Sequence, residues 1–157
     1  MAKKNKDFVK IKGMFRVQIT EDGKVIGDSG WRKNQVVNLG FNNIVNQLGT
    51  SLTGSKLSHM AVGTGAAPSA TDTTLAGEQS VRAAITAATS SSSKTLRNTA
   101  TFDSTASFVT ATKNLSNIGL FSTSTASGGT IFAGNTYASS AVATNQNVNA
   151  TYDIIFS

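Results

Sequence analysis

Between Met14 and Thr20 the chain alternates: Phe15, Val17 and Ile19 fall on one side, Arg16, Gln18 and Thr20 on the other. A period of two marks a half-buried strand. Phe8-Val9-Lys10-Ile11 just before it also has strand character. Glu21-Asp22-Gly23-Lys24 reads as a hairpin turn with Val25-Ile26 on the return strand. Gly27-Asp28-Ser29-Gly30-Trp31 is a second tight segment, where Asp28 is expected to turn or cap the chain.

The period then changes. Phe41, Ile44, Val45 and Leu48 are spaced i, i+3, i+4, i+7, which predicts a short helix over about 38–48. Asn38 can cap its start and Gly49 fits the position past its end. The helix is expected to lie across one face or end of a sheet. Further strands are expected at Leu57–Val62, at Val81, Ala83 and Ile85, at Leu96–Phe102, Phe108–Thr112, Ile118–Phe121, Thr130–Ala133 and Asn149–Phe156. Residues 86–93 and 122–129 read as loop tips, and 138–149 as a long loop or weak strands. Short strands separated by Gly, Ser, Thr and Asn turns point to a mainly β protein. The expected fold is an antiparallel β-sandwich or barrel-like domain with one short helix and an extended N-terminal arm. Residues 1–12 form the arm and 13–157 a single β-rich domain.

Composition sharpens this picture. Only 14% of the 157 residues are charged, against about a quarter in ordinary domains. A polar but weakly charged surface suits flat contact with other protein, because little charge must be desolvated. The net charge of +6 is unevenly placed: residues 1–33 carry nine Lys/Arg and four Asp/Glu (+5), residues 34–157 five and four (+1). The arm reads either as a solvated tail or, in the sharper reading, as a docking element for an acidic protein surface. Its candidate contacts are Lys3, Lys4, Lys6, Phe8, Lys10 and Lys12. A nucleic-acid module would spread its cations over the fold among aromatics, so nucleic acid is not the expected partner. No apolar run approaches the ~18 residues of a membrane span, and no apolar segment follows the basic start, so neither a membrane anchor nor a secretory signal is expected.

Candidate chemistry is sparse. Cysteine is absent and His59 is the single histidine, so thiolate or histidine-rich metal sites are not expected, and neither is a cofactor. A Ser-His-acid triad would have to use His59, which sits in a strand pattern with no acidic neighbour in sequence. The carboxylates Asp7, Glu21, Asp22, Asp28, Asp72, Glu78, Asp103 and Asp153 are scattered, mostly in turns and loops. Gly63-Thr64-Gly65 lacks the Gly-Lys-Ser/Thr of a phosphate loop and reads as a turn needing close backbone approach. Trp31 is expected to plug the core rather than anchor an interface. Together these features argue against an enzyme.

Several phrases carry a resemblance. The stretch Ala61 to Glu78, a strand ending in Gly63-Thr64-Gly65 and a Pro/Ala/Thr/Asp loop leading to Leu75 and Glu78, resembles a phrase of tailed-bacteriophage structural proteins. Asn117-Ile118-Gly119-Leu120-Phe121 followed by Gly128-Gly129-Thr130-Ile131-Phe132-Ala133 resembles a second, and Thr151–Phe156 is similar to their closing strand. Phe15–Phe41 also looks like small virion proteins. The resemblance implies a virion structural protein made in the host cytoplasm. It implies above all a capsid decoration (cement) protein that clamps the major capsid protein on the head exterior and associates with copies of itself, as a trimer or other homo-oligomer. A tail component (tail tube, baseplate or fibre adaptor) bound to tail proteins is the alternative. A host-surface or glycan-binding module comes third, and would use Tyr137 and Tyr152 as exposed aromatics.

Overall fold

The computed structural model describes residues 9–49, 56–90 and 93–157. Its strands are β1 (Ile11–Glu21), β2 (Lys24–Asp28), β3 (Arg32–Val36), β4 (His59–Gly63), β5 (Ala83–Ala84), β6 (Thr86–Ser90), β7 (Thr95–Phe102), β8 (Lys113–Phe121), β9 (Ile131–Val142) and β10 (Asn147–Phe156), with one helix, α1 (Asn38–Gly49). The strands form one antiparallel sheet in the order β5-β4-β8-β9-β3-β1-β10-β7-β6, with β2 added on β1. The expected mainly β, barrel-like fold with a single helix is thus what forms.

Short strands at two corners curl the sheet into a nearly closed barrel. In β3, Arg32, Lys33 and Asn34 pair with β1, whereas Gln35 and Val36 pair with β9. On the far side β5 pairs with β4 and β6 with β7, with Ile85 alone between them. Each corner therefore needs only a change of partner along one short stretch of chain, and both raw edges are largely removed.

β1 builds the core as its alternation predicts: Phe15, Val17 and Ile19 are buried and meet Val148, Ala150, Tyr152 and Ile154 of β10. The β1–β2 turn carries positive φ at Asp22 (48°) and Gly23 (75°), the pair of left-handed residues a tight hairpin requires. β4 and β8 are buried on both faces. Their inner face joins the main core. Ala61 and Phe121 form a second cluster with Ile131, Val37 and Leu75, the last supplied by the 64–78 loop. Near-continuous apolar runs are what such doubly covered strands need.

Three expectations are corrected. Phe108–Thr112 is not a strand. It is an irregular segment whose Phe108 and Val109 are nonetheless buried, with Phe108 5.6 Å from the Phe102 ring. Residues 86–90 are strand β6 rather than a loop tip. Of the two readings of residues 138–149, strand is the one that forms, split between β9 and β10 around a turn in which Gln146 N–H donates to Ala143 O. Trp31 is 44% exposed and does not plug the core.

Helix α1 lies against β9 with only part of its apolar stripe: Ile44 packs on the main core. Gly40 is its one buried residue, and a Cβ there would run into the Phe132 carbonyl oxygen. Close approach through glycine sets the helix down on backbone, and Phe41, Val45 and Leu48 are left outside at 45%, 65% and 84% exposure. No helix among the described residues is long and apolar enough to cross a membrane.

The Gly63-Thr64-Gly65 phrase turns the chain away from β4 into the long loop. Gly65 N–H donates to Ala76 O, and Thr64 N–H to Gly77 O. A Cβ on Gly65 would lie within 2.6 Å of the Ala76 backbone. Asn117, fully buried on β8, donates from Nδ2 to Ala66 O (3.0 Å) and Ala76 O (2.9 Å). The expected turn with close backbone approach is what these residues make.

Candidate protein-binding surface

The outer face of the β3-β1-β10-β7 portion of the sheet gathers most of the described N-terminal charge. Side chains alternate along β1, so Lys10, Lys12, Met14, Arg16 and Gln18 turn away from the core that holds Phe15 and Val17. Register then fixes their neighbours. Lys33, Met14, Asp153 and Arg97 form one row across β3, β1, β10 and β7. Lys12 stands opposite Ile155, and Gln18 opposite Asp28. Sequence reading placed the charge on a detachable arm; pairing of β1 with β3 instead spreads much of it over a folded face.

Two ion pairs order this face. Arg16 Nε donates to both carboxylate oxygens of Asp28 (3.0 and 3.1 Å), and its terminal nitrogen closes a salt bridge to the same group. Gly30 N–H and Gln18 also donate to Asp28, so Asp28 bends the chain as expected. Arg97 holds Asp153 through two bonds of 2.8 and 2.7 Å. The Trp31 ring lies over the Arg97 guanidinium at 5.7 Å, a cation-π contact on the surface. Five cations (Lys10, Lys12, Arg16, Lys33, Arg97) thus share the face with two carboxylates, Asp28 and Asp153, each already held by an arginine. The balance is +3 among the described residues.

The candidate contacts divide. Lys10 and Lys12 belong to this face: Lys10 exchanges both backbone bonds with Ser157, and Lys12 lies within β1. Ordered pairing therefore reaches back to residue 10, inside the segment read as arm. Lys3, Lys4, Lys6 and Phe8 lie outside the described residues. Arg16, Lys33, Arg97 and Trp31 were missed as site residues, because only the strand register shows that they are neighbours.

The other candidates have structural settings. His59 pairs opposite Ala84, and its Nδ1 lies 2.8 Å from Ser58 Oγ. Glu78 is locked to Arg82, Asp72 accepts from Ser69, Asp103 caps a 3-10 turn at Ser104–Ala106, and Glu21 accepts from Asn145 and Gln146. No group of three metal-ligating side chains occurs among the described residues. The aromatics required by a glycan-binding reading are not on the surface: Tyr152 is fully buried and Tyr137 nearly so, and burial pushes both phenols up.

A pH dependence follows. Arg16 first, then the Gly30 N–H and Gln18, hold the Asp28 carboxyl well below the usual range. The Ser69 and Thr105 backbone N–H groups do the same, less strongly, for Asp72 and Asp103. Burial, with Arg82 nearby, lowers His59. In each of these four cases the unfolded chain binds protons more readily, so their contribution to stability is full at neutral pH and falls on acidification. The melting temperature is expected to decline below about pH 6.5 as unfolded His59 protonates, and more steeply below about pH 4 as the aspartates do. His59→Gln should flatten only the upper limb; a melting temperature that rises on acidification would contradict the scheme.

The chain matches no protein-family model, no curated protein and no solved structure.

Proposed function

We propose that the chain is a structural protein of a tailed-bacteriophage particle, a capsid decoration protein that grips the shell-forming capsid protein through the basic face and the arm leading from it. The observation that carries this reading is the +3 outer face bearing Trp31 on Arg97. It continues at Lys10 into the segment with Lys3, Lys4, Lys6 and Phe8. Arginine and tryptophan are the side chains on which interface energy concentrates, and the surrounding lysines favour an acidic partner. The resemblance of residues 61–78 and 117–133 to phage structural proteins supports the same reading. Each contact is weak, and a lattice of identical sites makes many of them act together.

The test uses shells of the phage that encodes the chain. Deleting residues 1–8 spares Lys10 and Ile11, which pair with Ser157 and Phe156, so the fold is expected to survive. Cutting through residue 12 would strip the start of β1. Deletion of 1–8 and the pair Lys12→Glu with Lys33→Glu are each expected to lower occupancy at least roughly tenfold at low salt, since the deletion removes attraction to an acidic surface and the two glutamates turn attraction into repulsion. The difference should shrink in high salt. Wild-type occupancy in both variants would end the proposal, and labelled particles imaged at the tail instead of the head would move the chain to the tail.

A further inference from the structure

At the end of the barrel, where α1 meets β6, β7 and β10, an open cavity of about 300 Å³ enters the fold. Its floor is fully buried Asn98 with Phe132 and Ile154, both nearly so. Ile44, Leu57, Leu96 and Phe156 are half-buried walls, joined by the amides of Asn43 and Gln47; exposed Lys56 and Ala87 mark the mouth. The floor is hydrocarbon apart from Asn98, and Asn98 breaks the pattern of its strand. The other inner positions of β7 are Leu96, Ala100 and Phe102. Asn98 Nδ2 donates to Tyr152 O at 3.3 Å, which sets the orientation of the amide. Its Oδ1 is left buried with no hydrogen-bond partner among the described residues. Asn117, also fully buried, has a structural task, because its Nδ2 holds two carbonyls of the 64–78 loop. Asn98 makes one long bond and lines a cavity. An unpaired acceptor in a core costs stability that a leucine there would not. A chain departs from its own folding pattern chiefly where it is strained or binds something.

We propose that this cavity binds a small neutral molecule, an apolar body carrying one hydroxyl that donates to Asn98 Oδ1. Hydrocarbon walls take the body, and the single polar group in the floor fixes which end enters first. The volume sits at the lower end of the range of small-molecule sites, ~300–1,000 Å³, which suits one ring or a short chain. The floor holds no cation, so a carboxylate or phosphate would enter it without a counter-charge. Water is a poor occupant there, since it needs at least about two polar partners and the floor supplies one side chain. The site is separate from the basic face and does not rest on the capsid reading.

Titration of the full chain with p-cresol and with toluene, the same ring and methyl without the hydroxyl, tests this by heteronuclear NMR. p-Cresol is expected to shift the Asn98 side-chain amide and the Leu57 and Leu96 backbone amides. It should bind at least roughly tenfold tighter than toluene, because only it pairs the buried acceptor. Transfer out of water alone would favour toluene, so this order reports the hydrogen bond. In Asn98→Leu the preference should vanish or reverse, while stability in urea holds or rises because the unpaired acceptor is gone. Ala87→Phe narrows the mouth from an exposed position and should weaken both ligands together, with far-UV circular dichroism unchanged. It carries the test of location should Asn98→Leu fold poorly. A wild type that binds neither compound, or binds both alike, overturns the proposal. So does a preference for p-cresol that survives in Asn98→Leu, or binding that Ala87→Phe leaves unmoved.

Discussion

Glu78→Ala is expected to destabilise the fold by about 3–5 kcal/mol, the cost of leaving one buried charge without its partner. The Glu78 and Arg82 side chains are 3% and 0% exposed. Arg82 Nε and a terminal nitrogen bind the two carboxylate oxygens at 2.5 and 3.1 Å, while its other terminal nitrogen reaches Thr123 O and Oγ1, each at 3.1 Å. The guanidinium lies 3.6 Å from the Phe121 ring centroid, and Ser127 N–H donates to the same carboxylate. Removing Glu78 therefore strands a cation and an amide together. It also unpins the end of the 64–78 loop, whose Leu75 closes the second cluster. Replacing both partners, Glu78→Leu with Arg82→Met, should recover most of the loss, because neither group then needs solvating. Urea titration reads both variants as a change of midpoint at constant slope. A single-variant loss under about 1 kcal/mol would mean that water reaches this pair.

Glu78 was legible only as the residue at the end of the 61–78 phrase, and the reason is physical. Its partner lies four residues on, yet the bonds to Thr123 and Ser127 cross to another part of the chain. The same limit explains the rest. β1 could be read because one face is core and the other solvent, so its pattern repeats every two residues. β3, Arg-Lys-Asn-Gln-Val, could not: it changes partners midway and presents little to the core, so no period survives. The second half of β9, Thr136–Val142, is mostly Ala and Ser, small enough for a strand surface but without contrast. Phe108 and Val109 misled in the opposite sense, since burial of an irregular segment also selects apolar residues. The α1 stripe was correctly helical in period, but Gly40 decides which side meets the barrel. The basic face was half visible, as charge in residues 1–33; that β1 and β3 lie side by side, with Arg97 of β7 two strands beyond β1, is a property of the sheet.

Phe15→Ala should cost a further about 3–5 kcal/mol, measured the same way, because its cavity sits where the barrel is least able to collapse. Phe15 is fully buried at the middle of β1, stacked on Tyr152 at 6.0 Å and edge-on to Tyr137 at 6.2 Å. β10 lies beside β1 and β9 is joined to it through β3, so backbone pairing holds these walls apart and the void remains. Tyr152→Phe is the sharper companion. The Tyr152 hydroxyl is buried and has no hydrogen-bond partner, so its removal should leave stability unchanged or raise it by about 1 kcal/mol. The pair separates two roles for the aromatics. If Tyr152 serves packing alone, Tyr152→Phe binds shells as the wild type does, and Phe15→Ala loses binding only in step with unfolding. Retained stability with lost binding in Tyr152→Phe would return this tyrosine to recognition, and would require the barrel to open where β1 and β10 now hold it shut.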